Sequence, residues 1–213
     1  MSAPQRVVIT AGGAGIGRAL ALAFHATGAR VAVCDIDADA IAELARIEPE
    51  IMGRVANVTN ADDMAAFLSD VDAAFGGVDT ALANAGTGGP AGPIENLELD
   101  DWRACISANL DGAFLLCQWA AKHMKTQGSG SIILTSSTAG MFGYPMRSPY
   151  ATAKWGVIGL AKTLACELGP YGVRVNAICP GAVEGDRMER VLKNEAAAKN
   201  QDIEDVRQIY VKG

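Results

Sequence analysis

Six short β-branched runs, separated by longer helix-forming stretches, restrict this chain to few folds. Val7-Val8-Ile9-Thr10, Val31-Ala32-Val33-Cys34 and the stretches 51–58, 78–83, 132–135 and 173–178 read as strands. Between them lie helical patterns near 15–28, 38–46, 60–75, 98–126 and 149–169. Strict alternation of this kind predicts an α/β architecture, a doubly wound parallel sheet in three layers with helices on both faces. Its crossovers are right-handed, and its ligands gather at the carboxyl ends of the strands.

Half of the 213 residues are apolar, enough for a sizeable core in one domain. Net charge is −6, and Lys and Arg are scattered, so neither a nucleic acid nor an anionic membrane is the expected partner. Small-molecule chemistry fits better. Five widely spaced cysteines without a Cys-x-x-Cys, and two distant histidines, His25 and His123, argue against disulfide frameworks and zinc. A reducing, cytoplasmic setting is expected, with no membrane-spanning run and no targeting segment before the first strand. Residues 184–211 are charged and helix-prone, an excursion expected to act as a lid. A sheet of this kind commonly adds a final strand after such an excursion, and none is present, so the chain is expected to be incomplete or the fold trimmed.

Thr10-Ala11-Gly12-Gly13-Ala14-Gly15-Ile16-Gly17 joins the first strand to the first helix. Glycines there let backbone N–H groups approach a pyrophosphate at the positive helix end, the arrangement of a Rossmann-type nucleotide site. A turn needed only for packing is the alternative. Asp35 ends the second strand, eighteen residues past Gly17, where a carboxylate accepts from an adenosine ribose hydroxyl and repels a 2′-phosphate. NAD is therefore expected over NADP, and neither Ala14 nor Ile36 supplies a cation for a phosphate. The plainer alternative makes Asp35 an ordinary turn residue.

Tyr150 and Lys154 stand four apart after Ser148-Pro149, with Ser137 upstream beyond the run 131–135. Ser148 is expected as the helix cap and Pro149 as the first helical residue, leaving Tyr150 in the first turn. On one helix face the ammonium favours tyrosinate, which makes the phenol a proton-transfer group. A surface helix with a solvated lysine is the bland alternative.

Taken together, the glycine turn, Asn84-Ala85-Gly86, Asn109, Ser137, Tyr150 with Lys154, and Pro180-Gly181 resemble the compact single-domain branch of the short-chain dehydrogenase/reductases along nearly the whole chain. The resemblance implies one catalytic dinucleotide-binding domain over 1–213. It implies an NAD-dependent oxidoreductase moving hydride between nicotinamide and a secondary alcohol or ketone. In that reading Tyr150 exchanges the proton, Lys154 favours its deprotonated form and holds the nicotinamide ribose, Ser137 binds the substrate oxygen, and Asn109 anchors a water relay. The cofactor would be held by Gly12, Gly15, Ile16, Gly17, Asp35, Ile36, Asn57, Val58, Asn84, Ala85, Gly86, Tyr150, Lys154, Pro180, Gly181 and Val183.

Departures from the family pattern are Ala11 for a glycine, tolerable if its φ is negative, Ala83 for an asparagine, Asn57 for an aspartate at the adenine, and Gly185 for a threonine. A catalytically silent dinucleotide-binding or regulatory relative is the alternative from another class; an epimerase or dehydratase reusing NAD is a third. Met141, Phe142, Tyr144, Pro145 and Met146 are expected to line an apolar pocket wall, while Arg187 and Arg190 on the lid read as a solvated face before they read as carboxylate ligands. A homodimer or homotetramer through the helices 101–126 and 150–169 is implied, the dimer being favoured.

Overall fold

The computed structural model describes residues 3–212, apart from the side chains at 186, 187, 211 and 212. Strands β1 (Arg6–Thr10), β2 (Arg30–Asp35), β3 (Met52–Val55), β4 (Thr80–Ala83), β5 (Gly130–Thr135) and β6 (Val173–Ile178) form one parallel sheet in the order β3-β2-β1-β4-β5-β6. The order reverses between β1 and β4. That switch point opens a crevice at the carboxyl ends of the strands.

Period-two alternation divides the core. Val7, Ile9, Val31, Val33 and Leu82 pack with Ala21 of helix α1 (Gly15–Ala26) and with Ile41 and Leu44 of α2 (Ala38–Ile47). Val8, Ala32, Ala81, Ile132 and Leu134 face the other way. They meet Phe67 of α3 (Ala61–Phe75), Leu116 and Ala120 of α5 (Gly112–Gln127) and Val157 and Ala161 of α6 (Ser148–Leu168). Helices therefore cover both faces, as the alternation predicts.

Local chemistry sets the boundaries. Asp37 caps α2 by accepting from Asp39 N and Ala40 N, and Asn60 caps α3 by accepting from Asp62 N and Asp63 N. Helix α3 stops at Gly76, whose φ of 68° is the left-handed conformation glycine adopts without strain. The expected helix 98–126 is one helical path in three pieces: α4 (Leu99–Ile106), a widened π turn over Ser107–Asp111, and α5. The expectation at 148 needs correcting. Arg147 is the cap residue, Ser148 already lies in α6, and its buried Oγ finds no partner. Proline at the second helical position supplies no N–H, so the start tolerates the shift.

The expected excursion is a pair of helices, α7 (Asp186–Lys199) and α8 (Ile203–Lys212). Leu192, Ala196 and Val206 form a small cluster of their own, joined by Met188, Ile203 and Tyr210. Among the described residues no helix is long and apolar enough to cross a membrane.

At the opposite end of the sheet, Arg6 grips Asp79. Its backbone N donates to Oδ2 at 2.8 Å, Nε to Oδ2 at 3.0 Å and Nη2 to Oδ1 at 2.7 Å. The Arg6 hydrogen bond holds the Asp79 carboxyl below its usual range, so its contribution is present above about pH 4 and is lost as pH falls through the folded-state value. Asp79→Asn should cost about 1–2 kcal/mol at neutral pH, the charged hydrogen bonds being discounted for partial exposure. Urea melts at pH 7 and pH 3 would check it: the deficit should shrink in acid, and a constant deficit would exclude the ionic origin.

Candidate active site

The turn between β1 and α1 is built for close approach. Ala14 stands at the start of α1 without a side-chain cap, and no acidic residue lies in the first turn, so the first N–H groups are left for a ligand. Gly12 N donates to Cys34 O at 3.0 Å, and a Cβ on Gly12 would lie 2.5 Å from that of Val33. A Cβ on Gly17 would collide with the Ala11 carbonyl oxygen. Gly15, at φ 52°, has open space at its Cβ position. The condition for an unstrained Ala11, a negative φ, is not met: it sits at 51°, in the region where a Cβ costs roughly 1–2 kcal/mol.

Two side chains fasten this turn. Thr10 Oγ1 accepts from Asn84 N at 3.0 Å and Ala85 N at 3.1 Å, while Asn84 Nδ2 donates to Thr10 O and Ala11 O, both at 3.2 Å. Asn84 is buried, so it ties the end of β4 to the strained Ala11. Asp35 Oδ2 accepts from Gly13 N at 3.0 Å, and Oδ1 accepts from Asp37 N at 3.1 Å. The carboxylate thus lies against the glycine turn, half-buried, with exposed Ile36 beyond it. Asn57 Oδ1 is occupied by Thr59 N and Oγ1 at 3.0 and 2.9 Å, and its neighbour Val58 packs against Gly112.

The second group of residues gathers where β4 and β5 end. Ser136 and Ser137 have opposite duties. Ser136 is buried and its hydroxyl donates to Lys154 O at 2.8 Å, whereas half-buried Ser137 accepts from Ala139 N at 3.2 Å and keeps its own O–H for another acceptor. Lys154, only 2% exposed, donates from Nζ to Thr135 O at 2.8 Å. That Nζ lies 5.7 Å from the Tyr150 ring centroid, as the spacing of four predicts.

Asn109 sits on the π turn, where an extra residue per turn turns its amide out of the helix phase. Nδ2 donates to Cys105 O at 2.8 Å and Thr87 O at 2.9 Å. Its Oδ1 is buried without a partner. A Cβ on Gly86 would strike that oxygen and lie 3.2 Å from Lys154 Nζ, so Gly86 is what lets the two polar atoms share this corner. The chain after β6 closes the same end: Thr138 N donates to Pro180 O at 3.1 Å, with Gly181 and Val183 exposed beyond.

The model of the family described as short chain dehydrogenase matches residues 5–196. The chain belongs to the short-chain dehydrogenase/reductases. Levodione reductase of Leifsonia aquatica, a member with this architecture, is 36% identical over 194 residues, covering 88% of this chain and 72% of that protein. A 3-oxoacyl-[acyl-carrier-protein] reductase of Synechocystis is 39% identical over 192 residues, covering 88% and 77%. The crystal structure of an NAD+-bound xylitol dehydrogenase superposes with a TM-score of 0.91 at 29% identity, covering 98% of this chain and 84% of that one. Short-chain dehydrogenase/reductases are oxidoreductases that work with nicotinamide cofactors, and the glycine cradle, uncapped helix start and orphaned Asn109 oxygen fit such a group.

On the substrate side Met141, Phe142 and Pro145 stand exposed, and Tyr144 and Met146 are half-buried. Arg190 is exposed, and the Arg187 side chain lies outside the described residues. A second buried cation beside Lys154 is Arg147, 2% exposed, which the sequence pattern does not single out. Its guanidinium carbon is 5.6 and 5.7 Å from the ring centroids of Tyr144 and Tyr150, and Nη2 donates to Gly88 O at 2.7 Å. Tyr144 in turn donates to Glu195 at 3.2 Å and pairs with Tyr210, linking this corner to α7 and α8. Burial works to raise the Glu195 carboxyl, but hydrogen bonds from Lys199 and Tyr210 hold it below its ordinary range.

Proposed function

We propose that this chain is an NAD-dependent oxidoreductase acting on a secondary alcohol or ketone, with 1–213 as one catalytic domain and α7–α8 as its lid. The observation that carries the reading is the meeting of Lys154 Nζ and Asn109 Oδ1 at Gly86, with the Tyr150 ring centroid 5.7 Å from that Nζ. When bound, the nicotinamide ring supplies or accepts the hydride. Tyr150 gives its proton to the substrate oxygen in reduction and takes it back in oxidation. Ser137 donates to the same oxygen through the O–H it keeps. Lys154 sets a positive charge beside the Tyr150 ring and holds the ribose, and Asn109 Oδ1 anchors a water relay that returns protons to the site.

Recognition of the adenosine end rests on Gly12, Gly15, Ile16 and Gly17 for the pyrophosphate, and on Asn57 and Val58 for the base. Asn57, with Oδ1 engaged by Thr59, has its Nδ2 to offer adenine. Asp35 supports NAD over NADP, because a carboxylate beside the turn accepts ribose hydroxyls and repels a phosphate. Buried free thiols at Cys34, Cys105 and Cys117 suit a reducing, cytoplasmic setting. Exposed Phe114 on α5 and Trp155 on α6 suit a homodimer through those helices.

The test is the coupled oxidation of a panel of secondary alcohols with NAD and with NADP. NAD should be preferred by about 100-fold in kcat/KM, from repulsion of two like charges at contact range near the surface. Asp35→Ser should shift the ratio toward NADP. A wild-type preference for NADP would remove the assignment, and a monomer mass in light scattering would remove the dimer.

A further inference from the structure

Arg147 poses an electrostatic problem. A guanidinium that is 98% buried ordinarily has a carboxylate partner or a full set of acceptors. Among the described residues one hydrogen bond, Nη2 to Gly88 O, is the whole of its provision, and Nε and Nη1 are enclosed without an acceptor. The tyrosine rings on either side offer π faces, which attract a cation but accept none of its in-plane N–H groups. The carboxylate that Tyr144 contacts, Glu195, is committed elsewhere: Lys199 Nζ donates to Oε1 at 2.6 Å, and Tyr210 donates to Oε2 at 2.5 Å.

The position gives the problem its meaning. The cation lies over the ring of Tyr150, the proposed proton-transfer group, and it precedes that residue by one helical turn. An anion bound by Arg147 would therefore lie close to Tyr150. We propose that the substrate carries a carboxylate close to its hydroxyl or oxo group and that Arg147 binds it. The substrate class is short hydroxy and oxo acids. A single guanidinium balances a monoanion, and its planar N–H groups match carboxylate oxygens. Tyr144, Glu195 and Tyr210 tie α7 and α8 over the same corner, so the hairpin must yield for the acid to enter and can then shut it away from water.

This assignment rests on the oxidoreductase reading, but its test does not need turnover. Binding of 2-, 3- and 4-oxo monocarboxylates and of their primary amides would be measured calorimetrically on the protein saturated with NADH. At least one acid should bind about 10- to 100-fold tighter than its amide, the range expected for charge-assisted hydrogen bonds. Arg147→Met should bring that ratio near one, and Arg147→Lys should restore part of it. Melting curves of both variants separate lost binding from lost folding. Removal of an unpaired buried charge should leave the midpoint unchanged or raise it.

A panel in which no acid out-binds its amide overturns the proposal, as does a preference that survives Arg147→Met. Acid discrimination without turnover of any panel member would sink the oxidoreductase reading and leave the anion site standing. Turnover of neutral ketones without discrimination would do the reverse.

Discussion

Tyr150→Phe should lower kcat/KM by about 10²- to 10⁴-fold, the range for removing a positioned proton donor, while NADH still binds and the melting midpoint barely moves. The phenyl ring is retained, and with it the faces over which Arg147 and Lys154 lie at 5.7 Å. In the proposed mechanism what disappears is the hydroxyl that exchanges a proton with the substrate oxygen, while the Ser137 hydroxyl and the glycine turn are untouched, which is why residual turnover is expected rather than none. Paired measurement of turnover and of NADH fluorescence on binding checks both halves. Undiminished turnover in the variant would remove Tyr150 from the mechanism.

The second large effect is at the other end of the cofactor. Gly17→Ala places a Cβ into the Ala11 carbonyl oxygen and 2.8 Å from Asn84 Nδ2. Neither can retreat cheaply. Ala11 is held at φ 51°, and the amide of Asn84 is what fastens its carbonyl. Overpacking of this kind costs about 1–3 kcal/mol. The midpoint should fall by about 2–12 °C. Because the turn must shift to make room, NADH affinity should fall by at least about tenfold, more than a remote destabilisation of equal size would cause. Unchanged affinity with a lowered midpoint would mean that the turn is a packing device alone.

The sheet was legible because its strands are β-branched runs at regular intervals, and burial between two helical layers is what such runs require. The close-packed glycine turn and the approach of Lys154 to Tyr150 were legible because both depend on spacing, and spacing is written in the chain. Three features escaped. The positive φ at Ala11 accompanies a hydrogen bond to its carbonyl from Asn84, more than seventy positions away. The cap of α6 is Arg147 where Ser148 was expected, a one-residue difference of the kind helix ends commonly show. Arg147 itself reads as a surface residue in any window of sequence; only the convergence of Gly88, Tyr144 and Tyr150 encloses it.

The π turn at Ser107–Asp111 lets one helical path serve two masters. An ordinary α-helix fixes the azimuth of every side chain from the first, at about 100° per residue. One extra residue resets that phase, so α5 can aim Leu116 and Ala120 squarely at the sheet while Asn109, a turn earlier, looks toward Thr87. Orientation of Asn109 is thereby decoupled from packing of the core. Drift in the core's apolar residues can proceed without rotating the amide out of the site.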